Sequence, residues 1–318
     1  RTYDSGRFPA ARCYIASYKR VLMAYATTRS KEMKTGLIVE GGGMKCAYSA
    51  GVLDIFLDEG IQFDYCIGVS AGAANSASFL AGQRERNMRY YTKHVKDPRY
   101  ISLRSLLTTG SLFGLQYIYG TMTNEGGGDP LDYDAYHNNP TEAYLPATDA
   151  ETGLPHYFNK NEIRRNEYQP IMASCALPVA CRPISYEGHV YYDGGVSDSM
   201  PIEHALEHGC DRLIVIFSKP RGFRMKPQGG KIAYTLGLKH KYPKIVEDLN
   251  HRHEVYNRQM DMVDTLEKEG KVMTFCPSAD IKIGTYTTDP AVMMQLYDNG
   301  IADAQKQMSQ IKEFLNGK

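Results

Sequence analysis

The stretch Gly36–Phe56, GLIVEGGGMKCAYSAGVLDIF, joins a short apolar run, three glycines, a lysine and an apolar pattern of helical period. Gly36–Glu40 has the length and content of a buried strand. Ala50, Val52, Leu53, Ile55, Phe56 and Leu57 mark the apolar face of a helix over Ala47–Glu59. Phe63–Val69, FDYCIGV, repeats the strand, and the Ala-rich SAGAANSASFLAG after it repeats the helix. Strand, helix, strand, helix with short connections predicts a parallel, right-handed βαβ unit. Both glycine-bearing turns then fall at the carboxyl ends of neighbouring parallel strands, where open α/β sheets bind their ligands.

The pattern continues outward. Strands are predicted at Glu142–Thr148 and His156–Asn159, joined by the turn DAETGLP, and at His189–Tyr192, Arg212–Phe217 and Lys271–Phe275. Helices are predicted at Tyr168–Ala176, Pro201–His208, Lys244–Glu269 and Pro290–Leu315. This is an α/β chain, read as a three-layer α/β/α arrangement with a mainly parallel central sheet and a single domain over 33–318. Between Arg84 and Asn139 the signal weakens. RYISLRSLLTTGSLFGLQYIYGTM reads as short helices packed on the core, or as a mobile apolar cap that meets lipid tails; GGGDPLDYDAYHNNP reads as loop.

Of 318 residues, 42% are hydrophobic and 23% charged, which is globular composition and excludes general disorder. With 37 basic against 36 acidic residues, no global field draws in nucleic acid or an anionic membrane. Seven cysteines, an odd number without a CxxC pair, read as reduced thiols of a cytoplasmic protein, neither a disulfide framework nor a zinc site. The first 32 residues carry seven basic residues against two acidic and no apolar period. A transit peptide has that character. The plainer reading starts the protein at Met33 and treats 1–32 as an N-terminal extension, non-native or disordered.

Gly68-Val69-Ser70-Ala71-Gly72 is a G-x-S-x-G between a predicted strand and helix, the context a nucleophile elbow needs. A helix-packing turn is the other reading. The earlier glycines fit neither a phosphate loop, since the lysine comes too early and no Ser or Thr follows it, nor G-x-G-x-x-G. Beside a candidate serine they read as an oxyanion hole formed by Gly41, Gly42, Gly43 and Met44, with Lys45 either adding charge nearby or facing solvent. The serine needs a base. His204, His208, His240, His251 and His253 lie downstream, and each reads as a surface residue. Asp193 in YYDGGVSDSMP follows a short strand directly, and Gly194 and Gly195 let the backbone turn behind it.

In that order, EGGGMK, GVSAG and DGG resemble the patatin-like phospholipases, specifically their bacterial branch, over about Thr35–Phe217. SCALPVACRPI and DGGVSDSMPIEHA resemble the same family. The resemblance implies a patatin-like fold and a Ser–Asp dyad without catalytic histidine: Ser70 as nucleophile, Asp193 as general base, and the glycine loop as oxyanion hole. It implies hydrolysis of phospholipids or related acyl lipids through an acyl-enzyme, with no metal or cofactor. Transient membrane contact through Leu103–Ile118 is expected, and no nucleic acid. Two positions depart from the family pattern. Cys46 stands where glycine is usual, which a backbone of positive φ would resist. Asp198 stands where asparagine is usual, adding a like charge that would raise one of two pKa values. Three rivals stay open: a Ser-His-Asp hydrolase, an acyltransferase or thioesterase with the same dyad, and a lipid- or partner-binding protein with little turnover.

Overall fold

The computed structural model describes residues 33–316; the extension expected over 1–32 lies outside the described residues. Eight strands form one sheet: β1 (Thr35–Val39), β2 (Tyr65–Gly68), β3 (Glu142–Asp149), β4 (Pro155–Asn159), β5 (Ile184–Tyr186), β6 (His189–Asp193), β7 (Arg212–Ile216) and β8 (Val272–Phe275). Their order is β5-β6-β3-β2-β1-β7-β8, with β4 also paired to β3. The helices that frame the sheet are α1 (Ala47–Asp58), α2 (Ala71–Leu80), α3 (Leu103–Thr109), α4 (Ile202–Glu207), α5 (Lys231–Leu238), α6 (Pro243–Lys268) and α7 (Pro290–Leu315). None of the described helices is long and apolar enough to cross a membrane.

The pleat divides the core in two. Leu37, Val39, Cys66, Ile214 and Ile216 point to one face and pack with α1, α2 and α7. Ile38, Tyr65, Ile67, Leu213 and Val215 point to the other and pack with α4 and α6. Alternation at period two, covered on both sides, is what makes the central strands read as continuous apolar runs. The three layers and the mainly parallel sheet are therefore as expected. β1 pairs in parallel with both β2 and β7, β2 with β3, and β7 with β8.

The antiparallel part positions the site. Residues 144–148 of β3 pair with β4, and 147–149 pair with β6, so β4 and β6 must occupy opposite edges of β3. Tyr144 pairs with both β4 and β2, so those two are also opposite. Hence β2 and β6 share one edge of β3. They run toward each other along it, and their carboxyl ends meet.

Three local readings change. Asp132 accepts a hydrogen bond from the Ala135 amide and so caps a helix, Tyr133–Asn138, inside the expected loop. β5 was not expected: three residues precede a turn at Glu187-Gly188, both at positive φ, that folds back into β6. α5 was not expected either, being short, entered through two glycines and carrying Gly237.

α1 is buried nearly all round, because α7 closes its outer side at the closest spacing backbones allow. A Cβ on Gly51 would lie 2.1 Å from the Tyr297 carbonyl oxygen, and one on Gly300 would lie 2.2 Å from that of Tyr48. Gly300→Ala is expected to destabilise the fold by about 1–3 kcal/mol, against the gain of up to about 1 kcal/mol that helix propensity alone would give. Urea denaturation reads the sign directly.

Candidate active site

Ser70 sits two residues beyond β2 with φ 55° and ψ −126°, a strained conformation for a residue with a Cβ. The chain must leave the sheet abruptly there, because β6 arrives head-on along the same edge. The flanking glycines permit the turn. A Cβ on Gly68 would lie 2.5 Å from the Gly72 carbonyl oxygen, and one on Gly72 would lie 2.3 Å from that of Val39. The turn is held by the Ser70 amide donating to Ser174 Oγ at 3.0 Å and the Gly72 amide donating to the Val69 carbonyl at 2.8 Å.

Asp193 is the last residue of β6 and is 1% exposed. Ser70 Oγ donates to its Oδ2 at 2.6 Å, and the Gly195 amide donates to its Oδ1 at 2.8 Å. Its backbone is fixed as well, the amide donating to Ala176 and the carbonyl accepting from Thr148 Oγ1. Burial pushes its carboxyl up to about 6, against the opposing pull of the Ser70 hydroxyl, the Arg252 charge and the Gly195 amide. A carboxylate of that strength, bonded directly to a hydroxyl, accepts its proton at a penalty smaller by roughly 3 kcal/mol than an ordinary aspartate would incur.

Ser70 and Asp193 border a cavity of about 550 Å³, and Ser70 also borders a smaller apolar pocket lined by Tyr91, Tyr100, Phe113, Leu115 and Ile118. Gly41, Gly42 and Gly43 line the larger cavity, and their amides have no protein acceptor among the described residues. The same is true of Ala71, the residue after the serine, which the sequence reading did not single out. Met44 differs from expectation: its amide already donates to the Thr285 carbonyl at 3.3 Å, so it is not a free donor. Lys45 faces the cavity half-buried, and burial together with the like charge of Lys219 lowers its pKa.

The two departures from the family pattern are accommodated without the strain or the charge pairing expected of them. Cys46 has φ −71°, and the positive φ falls on Gly43 instead. Its thiol donates to the Glu40 carbonyl at 3.4 Å, and burial raises its pKa. Asp198 does not face Asp193. Its oxygens accept from Tyr157 Oη and Gln259 Nε2, each at 2.6 Å, and burial raises its pKa. No histidine lines either pocket among the described residues. His204, expected at the surface, is packed among Tyr65, Tyr144 and Tyr157, and burial takes its pKa down to about 3.

Sequence reasoning missed the groups that hold these loops. Glu40 is buried at the end of β1, accepts from the Ser218 amide at 2.7 Å and pairs with Lys219. That ties the glycine loop to the end of β7. Arg252, on α6, donates from Nε to the Gly195 carbonyl, which also accepts from Ser199 Oγ at 2.6 Å. The only sequence signal was the acidic residue directly before the three glycines.

A family model for patatin-like phospholipases matches residues 37–206, and a second model, a domain of unknown function (DUF6363), matches 242–316. The uncharacterized protein YjjU of Escherichia coli K12 is 31% identical over 204 residues, covering 61% of this chain and 55% of that protein. The lysophospholipase NTE1 of Cryptococcus neoformans is 28% identical over 188 residues, 57% of this chain and 11% of that protein. The chain thus spans about half of the first relative and a small part of the second. VipD from Legionella pneumophila superposes with a TM-score of 0.45 at 12% identity, over 93% of this chain and 73% of that one, a likeness too distant to carry an argument. With more than half of its length matched by the first model, this chain belongs to the patatin-like phospholipase family.

Proposed function

We propose that the chain hydrolyses acyl esters of lipids, with Ser70 as nucleophile and Asp193 as its base. One observation carries the reading: a strained serine donates a 2.6 Å hydrogen bond directly to a buried aspartate whose pKa burial has raised to about 6. Ser70 Oγ attacks the ester carbonyl as its proton passes to Asp193. The oxyanion is received by the free amides of Gly41–Gly43 and Ala71, and one such donor is worth about 10²–10³ in rate. Collapse breaks the ester C–O bond, Asp193 returns the proton to the leaving alcohol, and an acyl-Ser70 ester remains. Water then attacks the acyl carbonyl with Asp193 again taking the proton; the bond from the acyl carbon to Ser70 Oγ breaks, Asp193 returns the proton to Oγ, and the fatty acid leaves. The cavity of about 550 Å³ that Ser70 borders, with Leu106, Leu112, Leu177 and Val179 in its wall, has room for an acyl chain. The family and the name of the fungal relative support a lipid ester as substrate class.

The absence of histidine from both described pockets disfavours a Ser-His-Asp arrangement. The ordinary φ of Cys46 and the engagement of Asp198 with Tyr157 and Gln259 speak against a binding protein without turnover. A cytoplasmic location is the reading in keeping with seven cysteines, an odd number without a CxxC pair.

Ser70→Ala and Asp193→Asn are expected to lower hydrolysis of p-nitrophenyl esters by about 10³-fold or more. Stability separates loss of chemistry from loss of fold. The folded-state pKa of Asp193, about 6, lies above the ordinary carboxylate value, so its ionisation costs stability as pH rises through 6 and costs nothing near pH 4. Asp193→Asn should therefore be the more stable protein at pH 8, by on the order of 1–3 kcal/mol, with the gain fading on acidification. An Asp193→Asn protein that keeps a tenth of wild-type activity would remove Asp193 from the mechanism.

For wild type, kcat/KM should fall with acid below about pH 6, as the carboxylate is lost. Arg252→Ala removes the positive charge that holds this pKa down, so its acid limb should move to higher pH, and Arg252→Lys should restore part of the shift. An unmoved limb with reduced kcat would leave Arg252 only the task of holding the Gly195 loop.

A further inference from the structure

The near-zero net charge conceals a segment of one sign. Arg212–Val246 contains nine Lys and Arg and no Asp or Glu. Several of these are spent on partners: Lys219 on Glu40, Arg221 on Glu267, Arg224 on Asp261 and Asp264, Lys244 on Glu247. Lys226, Lys231, Lys239 and Lys241 are exposed, and no carboxylate lies within ion-pair distance of them among the described residues. All four lie in or beside α5.

That helix buries Tyr234 and Leu238 and turns Ile232 and Leu236, one helical turn apart, to solvent at 78% and 76% exposure. Its first turn lines the cavity that contains Ser70. α3 has the same construction. Leu106 lines the cavity, while Leu103 and Leu107, also one turn apart, are 72% and 86% exposed beside an exposed Arg104. Val179 and Tyr286 complete the lining, and Val179 is held at φ 70°, where a β-branched residue is strained. Nine large apolar side chains are exposed among the described residues, and seven of them line this cavity or stand on the two helices bordering it. Single exposed apolar residues need no explanation, but their concentration at one mouth beside unpaired lysines does.

We propose that this rim docks the protein on an anionic phospholipid bilayer, with Ile232, Leu236, Leu103 and Leu107 entering the interface and Lys226, Lys231, Lys239 and Lys241 meeting the headgroups. Apolar insertion and basic charge reinforce each other at such a surface. Docking would set the mouth of the cavity against the lipid. The observations stand independently of the proposed hydrolysis, although its sense as substrate delivery rests on that reading.

The test is cosedimentation of the Ser70→Ala protein, which leaves the lipid intact, with phosphatidylcholine vesicles with and without phosphatidylglycerol. Binding to the anionic vesicles should be about ten-fold tighter or more, and should weaken steeply with salt. Ile232→Ser/Leu236→Ser and Lys231→Glu/Lys239→Glu/Lys241→Glu should each reduce it at least about ten-fold. In an otherwise wild-type chain these variants should leave hydrolysis of a water-soluble ester unchanged. Equal binding to both vesicles, no binding, or variants that bind like the parent would overturn the proposal. So would a dimer in solution that Ile232→Ser/Leu236→Ser dissociates, since the rim would then be covered by a second copy. Vesicle binding without ester hydrolysis would sink the enzymatic reading alone, and hydrolysis without vesicle binding would sink the docking alone.

Discussion

Two strands share one edge of β3 and run at each other, and the rest of the site follows from that collision. Ile67 of β2 is opposite Tyr144, and Asp193 of β6 is opposite Ala147. Only Leu145 and Pro146 separate the two pairings along β3, a gap of roughly 10 Å at strand rise. Pro146, with no N–H to offer a neighbour, occupies it. β2 cannot continue, so it turns out of the sheet at Ser70, and β6 ends with its carboxylate at that turn. The 2.6 Å contact between Ser70 and Asp193 is therefore a consequence of sheet register. It does not depend on a flexible loop finding its place.

The same register imposes two costs. Ser70 takes a backbone conformation worth on the order of 1–3 kcal/mol of strain, and Asp193 loses water on every side. Neither would persist in a loosely held turn. The compensation comes from several directions: Ser174 accepts from the Ser70 amide, the Gly195 amide and Ser70 hydroxyl donate to the two carboxylate oxygens, and Thr148 and Ala176 fix the Asp193 backbone. Arg252 supplies the nearby positive charge without bonding to the carboxylate, anchoring instead on the Gly195 carbonyl. A full ion pair would drive the pKa down and weaken the base. A charge one group removed permits ionisation near neutrality while leaving the carboxylate basic.

The fold was legible because its signals are local. Short continuous apolar runs mark β1, β2 and β7, and helical period marks α1, α6 and α7, whose ends fall within a residue or two of expectation. The turns bearing Ser70 and Asp193 were legible because a strand, a glycine and a short polar residue in sequence leave few alternatives. The supporting groups were not, because their meaning lies in tertiary contact. Arg252 meets Gly195 from 57 residues away, and Lys219 meets Glu40 from 179. The concern over Cys46 failed for a related reason. A glycine preference shows that a turn is tight without showing which residue bears the positive φ, and Gly43 bears it. Asp198 misled because five residues along the chain is not proximity when the turn Gly194–Val196 intervenes and Gln259 waits on the other side.

The family match ends at residue 206, but the site does not. β1, which carries the glycine loop, lies between β2 and β7, and β7 begins only at Arg212. The loop itself is tied through Glu40 to Ser218 and Lys219, beyond the match. The segment matched only by a domain of unknown function contributes more. α6 brings Arg252 to the Gly195 carbonyl and Gln259 to Asp198. Thr285 accepts from the Met44 amide, which leaves the glycines as the free donors, and Tyr286 walls the cavity. α7 seals α1 through Gly51 and Gly300. The matched segment holds the residues that would react, while the C-terminal segment holds them in place and charges their surroundings. That division is physically reasonable, because a strained serine and a desolvated aspartate keep their geometry only while independent elements on both sides of the sheet resist their relaxation.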